Sequence, residues 1–369
     1  MSHSASFFRL IRRSSLGACL MVSSLVAQEM SFEEYEPRST LVVPENLVTK
    51  AKFPFIDIHN HQRARGMSAA RVDKLIEDMD DLNLAVMVNL SGGSGRTLKD
   101  NVAALNGRYP NRFVTFANPS FQGIDDPDYP QRTADQFEAD VKAGAGGLKI
   151  FKNLGMSVFD RAGNRVEVDD PRLDPLWAKA GELGVPVLIH TADPSEFWEP
   201  HDKHNERWFE LKERPGRKKE SPPSFEELLE EQLSVFRQHS ETNFIAAHFM
   251  WLANDLDRLG SYLDELPNVV TELGAVIYDP GRQPRHAKAF FEKYHDRILM
   301  GKDSWAPSEY ATYFRTLETA DEYFPYYRKR HAFWRLYGLD LSDEVLKDVY
   351  YRNAMRILQG IDRSLFPAD

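Results

Sequence analysis

An α/β chain closed into a (β/α)8 TIM barrel is the fold this sequence predicts, on three observations. Eight short apolar, β-branched runs recur between residues 54 and 305, with amphipathic stretches between them. A chain of 369 residues is long enough to build one large barrel around a sizeable core. An open doubly wound sheet, the alternative, needs a glycine-rich nucleotide turn after its first strand, and none follows residues 54–61.

The elements follow in chain order. "FFRLIRR" and then "SSLGACLMVSSLVA" form a basic segment followed by a short apolar one, the pattern of an export signal over residues 1–27 with cleavage near Ala27. "RRSSL" leaves twin-arginine and general export routes open. The apolar run continues past Cys19, which favours an ordinary signal over a lipoprotein anchor at that residue. Once the signal is removed, the exported chain, periplasmic or extracellular, has no cysteine for a disulfide or a thiolate metal site. Residues 28–52 read as a polar lead-in, and 53–369 as the barrel domain.

The predicted strands are "PFIDIHNH" (54–61), "LAVMVNL" (84–90), "RFVTFANP" (112–119), "GGLKIFK" (146–152), "VPVLIHTAD" (185–193), "NFIAAHFMW" (243–251), "NVVTELGA" (268–275) and "RILMGKDSW" (297–305). Stretches such as "AARVDKLIEDMDDL" and "FEELLEEQLSVFRQH" place apolar residues three and four apart, as helices packed on a barrel do. Residues 194–223 form a long insertion after the fifth strand, and residues 341–360 a helical tail that caps the barrel. No stretch of the mature chain is long and apolar enough to span a membrane. A net charge of −10 disfavours nucleic acid and anionic membranes as partners. A small-molecule substrate fits better, and a homo-oligomer stays open.

Barrel sites gather at the C-terminal ends of the strands, and that is where the metal-competent residues fall. His59 and His61 point one way along the first strand while Asn60 points the other, which makes either a chelating pair or a strand end that carries imidazoles. Lys149 and Lys152 end the fourth run, His190 the fifth, His248 the sixth and Asp303 the eighth, and Glu272 lies on the seventh. His239, His286, His295 and His331 sit in helical or loop contexts and read as solvated surface. Asp57 shares strand parity with the histidine pair and lies one layer deeper, as interior support. Glu272 is either rim or catalytic. In the insertion, "HDKHNERW" is either a solvated loop or a lid in which Arg207 and His204 face an anionic substrate.

HxH on the first strand, single histidines ending the fifth and sixth, and an aspartate ending the eighth resemble the metal-dependent amidohydrolase superfamily. "AKFPFIDIHNH", "GLKIFKNLG", "NFIAAHF" and "YYRNAMRIL" resemble its amidohydrolase-related branch, which also holds the aminocarboxymuconate semialdehyde decarboxylase-like enzymes. The resemblance covers nearly the whole mature chain. It implies a divalent metal, zinc by ligand type and one ion rather than two, on His59, His61, His190 and Asp303. Asp303 would also move protons, and His248 would be a base or an electrophile. Lys149 would be a carboxylated bridge to a second metal, or else a lysine that binds substrate. "GKD" departs from the branch's usual small residue before the aspartate, and strand alternation turns Lys302 away from the site. The implied activity is hydrolysis of an amide, lactone or ester, with non-oxidative decarboxylation of a small carboxylated substrate as the alternative.

Overall fold

Runs of β-branched and bulky apolar residues are buried on both faces here, which suits a parallel sheet covered by helices. In the computed structural model, which describes residue 1 and residues 30–331 and 334–368, the predicted runs form β1 (Phe55–Asn60), β2 (Leu84–Asn89), β3 (Phe113–Ala117), β4 (Ala145–Ile150), β5 (Val187–Ile189), β6 (Phe244–Ala246), β7 (Val269–Glu272) and β8 (Ile298–Leu299). All are parallel and hydrogen-bonded in sequence order. The ring closes where the Ile58 N–H donates to the Met300 carbonyl (2.9 Å) and the Asp303 N–H to the His59 carbonyl (2.7 Å). The chain is therefore a (β/α)8 barrel.

The helices between the strands carry their own start and stop signals. Helix Ala69–Leu82 begins at Ser68, whose side chain accepts from the Arg71 N–H, and ends at Asn83 in the left-handed region. It buries Val72, Leu75, Ile76, Met79 and Leu82, the predicted stripe. Helix Phe225–Gln238 opens with a reciprocal capping box between Ser224 and Glu227.

Three segments shape the ends of the barrel. The insertion after β5 is folded, with a short helix at Trp208–Glu213. A two-stranded hairpin, Phe324–Pro325 against Arg335–Leu336, follows the barrel's last outer helix. The tail runs helically from Asp343 to Ile357 with a π-helical turn at Asp348–Arg352. It lies against β8 and β1: the Asn353 amide donates to the Ile298 and His295 carbonyls (2.7 and 2.6 Å), and Tyr350 packs on Phe55. The N-terminal unit, ending at Leu41, has a turn in which the Glu34 N–H donates to the Ser31 carbonyl (3.1 Å). Beyond Met1, the expected export signal, Cys19 included, lies outside the described residues. Among the described residues no helix is long and apolar enough to cross a membrane.

Several predicted strands end earlier than their apolar runs. Past Ala246 the backbone leaves the sheet through four consecutive non-glycine residues with positive φ, His248 to Trp251 (52° to 57°). A hydrophobicity pattern reads "AHFMW" as strand because the side chains are apolar, whereas the backbone there is a left-handed turn.

Candidate metal centre

β1 delivers His59 and the turn after it His61, while the segment beyond β8 delivers Asp303 at φ +81°. The Nε2 atoms of His59 and His61 each lie 3.5 Å from the same oxygen, Asp303 Oδ1. The ligand atoms of these three residues lie within 4.8 Å of one another, a spacing that suits one metal ion. Burial works against the Asp303 carboxylate, but the hydrogen bond from His61 and the neighbouring imidazoles keep its carboxyl well below the usual range.

The protons on the imidazoles are settled by their partners. His59 Nδ1 faces Glu272 Oε1 at 2.9 Å, so Nδ1 carries the hydrogen and Nε2 is a bare lone pair. His248 Nδ1 donates to the Gly274 carbonyl (2.6 Å), which leaves its Nε2 to accept from His190 Nδ1 at 3.3 Å. His190 Nε2 is then bare as well. Neither His59 Nε2 nor His190 Nε2 finds a hydrogen-bond partner among the described residues, although both are buried. Burial lowers the pKa of His59 and His190 well below the ordinary value and that of His248 to about 4, so all three are neutral at pH 7. Bare, buried, neutral imidazole nitrogens beside an ionised carboxylate are what a divalent cation needs. The rings run in order His61, His59, His248, His190, with His59 and His248 stacked at 4.8 Å and His190 edge-on to His248 at 4.3 Å. His190 thus reaches the group through His248. The left-handed turn after β6 places His248 and Trp251 side by side, their rings 4.5 Å apart, a strained conformation of the kind proteins keep at sites.

Glu272 and Asp57 support this array in different ways. Glu272 is fully buried at the end of β7, and the reading of it as rim is corrected. Its carboxylate accepts from His59 Nδ1 and from the N–H groups of His248 (2.7 Å) and Gly274. Asp57 accepts from the His59 N–H (3.0 Å), the Lys302 N–H (3.2 Å) and the Tyr310 hydroxyl (2.6 Å). The strand-parity argument fails between them, because the β1–β2 register breaks between Asp57 and Asn60. Asp57 therefore meets Tyr310 of helix Tyr310–Glu318 while His59 meets the site. Lys302 turns away as expected, onto Glu309 and the rings of Tyr310 and Tyr327.

Of the two lysines of the fourth run, Lys149 is the buried one. Its Nζ has no hydrogen-bond partner among the described residues, and burial pushes its pKa down to about 7 against the pull of Glu272 and Asp303. Lys152 instead reaches Asp193. A cavity of ≈ 120 Å³ opens over the centre, lined by His190, His248, Asp303 and Trp251 together with Lys152, Arg207, Arg217 and Arg328. Arg207 is buried there, but its guanidinium is shared among Glu210 (3.1 Å), His331 (3.1 Å) and the Tyr278 hydroxyl. His204 is exposed on the insertion and does not line the cavity, so the structure does not bring it to the site.

His331, read from sequence as solvated, is 2% exposed and lines the cavity, a correction that comes from the insertion folding over it. Arg328, Trp251 and Tyr278 also line the cavity unforeseen. A tryptophan three residues after a strand-end histidine was the one signal in the sequence that could have pointed to Trp251.

The fold and the family have known counterparts. A sequence model described as Amidohydrolase matches residues 56–360. No curated protein matches the chain in sequence. The fold is similar to that of 2,6-dihydroxybenzoate decarboxylase from Rhizobium, with 16% identity, 83% of this chain and 98% of that one covered, and a TM-score of 0.54. It is similar too to a dihydroxybenzoic acid decarboxylase from Polaromonas with bound manganese and 2-nitroresorcinol (16% identity, 83% and 96% covered, TM-score 0.55). An uncharacterized TIM-barrel protein from Bordetella bronchiseptica shares 15% identity over 82% of this chain and 97% of its own, with a TM-score of 0.50. By the family match, and in keeping with its strand-end motifs, the chain belongs to the amidohydrolase family, the amidohydrolase-related branch of a superfamily of metal-dependent enzymes.

Proposed function

We propose that this protein is a hydrolase that uses a single zinc ion and a water to split an amide, lactone or ester bond of a small anionic molecule outside the cytoplasm. One observation carries the reading: the Nε2 atoms of His59 and His61 both face an ionised Asp303 that opens onto a cavity, and the bare Nε2 of His190 lies on that cavity's wall through His248. His59, His61, His190 and Asp303 would hold the ion, which when bound supplies Lewis acidity to a water or a substrate oxygen.

The protein's residues do the rest. Asp303 takes a proton from the attacking water as its oxygen bonds to the carbonyl carbon, and returns it to the nitrogen or oxygen that leaves. The products are a carboxylic acid and an amine or alcohol, and for a lactone a single hydroxy acid. Glu272 keeps His59 in one tautomer, and His248, with both ring nitrogens engaged, acts through His190 by holding its Nδ1 proton. The cavity, at ≈ 120 Å³, is well under the roughly 300–1,000 Å³ of pockets for drug-sized ligands, so the substrate is small. Its cationic side chains favour an anion.

The same cationic wall also supports a second reading, non-oxidative decarboxylation, and the Rhizobium and Polaromonas proteins of similar fold are named decarboxylases. A screen of the zinc-loaded chain on lactones, N-acyl compounds and aromatic carboxylates, with carbon dioxide scored separately, decides between them. Hydrolysis without carbon dioxide is expected. Carbon dioxide released together with the decarboxylated compound, and no hydrolysis product, would replace the hydrolase with the decarboxylase. Asp303→Asn should lower kcat by about 10²-fold or more in a folded chain. Elemental analysis should find one zinc per chain, and two would return Lys149 to the bridging role.

A further inference from the structure

We propose that Arg328 is the residue that grips the substrate's negative group, and that this group is a carboxylate; the inference rests on the reading of an anionic substrate given above. Three other cationic side chains line the cavity, and each already has an ion-pair partner within the protein. Arg207 is bonded to Glu210, Arg217 also pairs with Glu210, and Lys152 pairs with Asp193. Arg328 differs from all of them. Among the described residues its guanidinium enters no ion pair, and its one hydrogen bond is a long one to Ser304 Oγ at 3.4 Å. Glu309, an acid whose charge acts on Arg328, is paired with Lys302. Arg328 is half-buried against the Tyr327 ring, 5.5 Å from its centroid, which fixes the side chain without using its donors.

A half-buried guanidinium with unused N–H groups, lining the same cavity as Asp303, is suited to a planar two-oxygen anion. The fork of N–H donors matches a carboxylate in two parallel hydrogen bonds, and a single point charge would not. Asp303 faces the same space, so the substrate's carboxylate is expected at the Arg328 side and its reacting bond at the Asp303 side. Arg207, the arginine that the sequence offered for this task, becomes a positioning residue that ties the insertion to His331.

The test measures binding to the full chain freed of metal, so that no ion can hold the acid. Calorimetry compares benzoate with benzamide and butyrate with butyramide. The wild type should bind each acid about 10- to 100-fold more tightly than its amide. Arg328→Gln should lose that preference and leave amide binding unchanged. Arg328→Lys, which keeps the charge but not the fork, should retain only part of it and serves if the glutamine variant is poorly folded. An undiminished preference in both variants, or no preference for either acid in the wild type, would overturn the inference. Carbon dioxide release in the activity screen, with the acid preference still dependent on Arg328, would sink the hydrolase reading alone.

Discussion

Glu272 shows how one buried side chain can govern a centre by holding the groups around it. Its two oxygens receive a ring N–H from His59 and two backbone N–H groups, three hydrogen bonds in all. Glu272→Gln keeps the shape but turns one acceptor into a donor pointing at another donor. The expected result is a folded protein about 1–3 kcal/mol less stable, with zinc affinity down about 10- to 100-fold because His59 loses its fixed tautomer. Chelator competition and thermal unfolding check both numbers, and unchanged zinc affinity would show that Glu272 is structural only. This residue also marks the limit of what the sequence reveals. His59, His61, His190, His248 and Asp303 were legible because imidazoles and carboxylates seldom end apolar strands without a task. Glu272 sat at an equivalent strand end, but whether a carboxylate there is buried depends on β1 and β6, which no local pattern encodes. His331 was hidden for the opposite reason: its neighbours Arg328, Lys329 and Arg330 make the segment look solvated.

At the scale of elements, strand order and helix faces follow from periodicity, while the places where chain leaves the sheet do not. The turn at His248–Trp251 breaks the preference of L-residues for negative φ, and only the tertiary site explains it. The insertion was legible as long and charged, but its attachment was not. Glu210, on helix Trp208–Glu213, meets Arg207, Arg217, Arg330 and His331 and thereby fastens the insertion to the segment before the Arg335–Leu336 strand. Burial pushes the His331 pKa down to about 4, and burial of Glu210 is outweighed by His331 and the arginines, which hold its pKa to about 2. A detached His331 would titrate near 6.5 and a detached Glu210 near 4.5. The detached form therefore binds more protons across both windows. Attachment is at full strength above pH 6.5, weakens as pH falls towards 4 through His331, and weakens further towards 2 through Glu210. Limited proteolysis within residues 194–223 should accelerate by roughly a hundredfold between pH 7 and pH 4.5 while the barrel stays folded. Equal cleavage rates at the two pH values would refute the latch.

For the whole molecule the important fact is where the centre lies relative to the barrel's seam. β1 and β8 stand at opposite ends of the strand order, and β8 is only two residues long. The seam is held by the Ile58–Met300 and Asp303–His59 backbone hydrogen bonds, with the tail behind it through the Met300 N–H to the Val349 carbonyl (2.9 Å). His59 and His61 belong to one side of that seam and Asp303 to the other, so an ion shared by the three residues would clasp the first strand to the last. Binding to the folded chain alone stabilises it by about 2.7 kcal/mol when the metal is hundredfold above its Kd, which for a chain of this size is a rise in Tm of roughly 5 °C. The clasp makes a sharper prediction than a general stabilisation. On chelation, hydrogen exchange should speed up at the amides of Ile58 and Asp303, which bridge the seam, well before it does at Val88 or Leu188 in the opposite wall. Uniform loss of protection would mean that the metal stabilises the barrel without fastening it, and no change at all would remove the metal from this site.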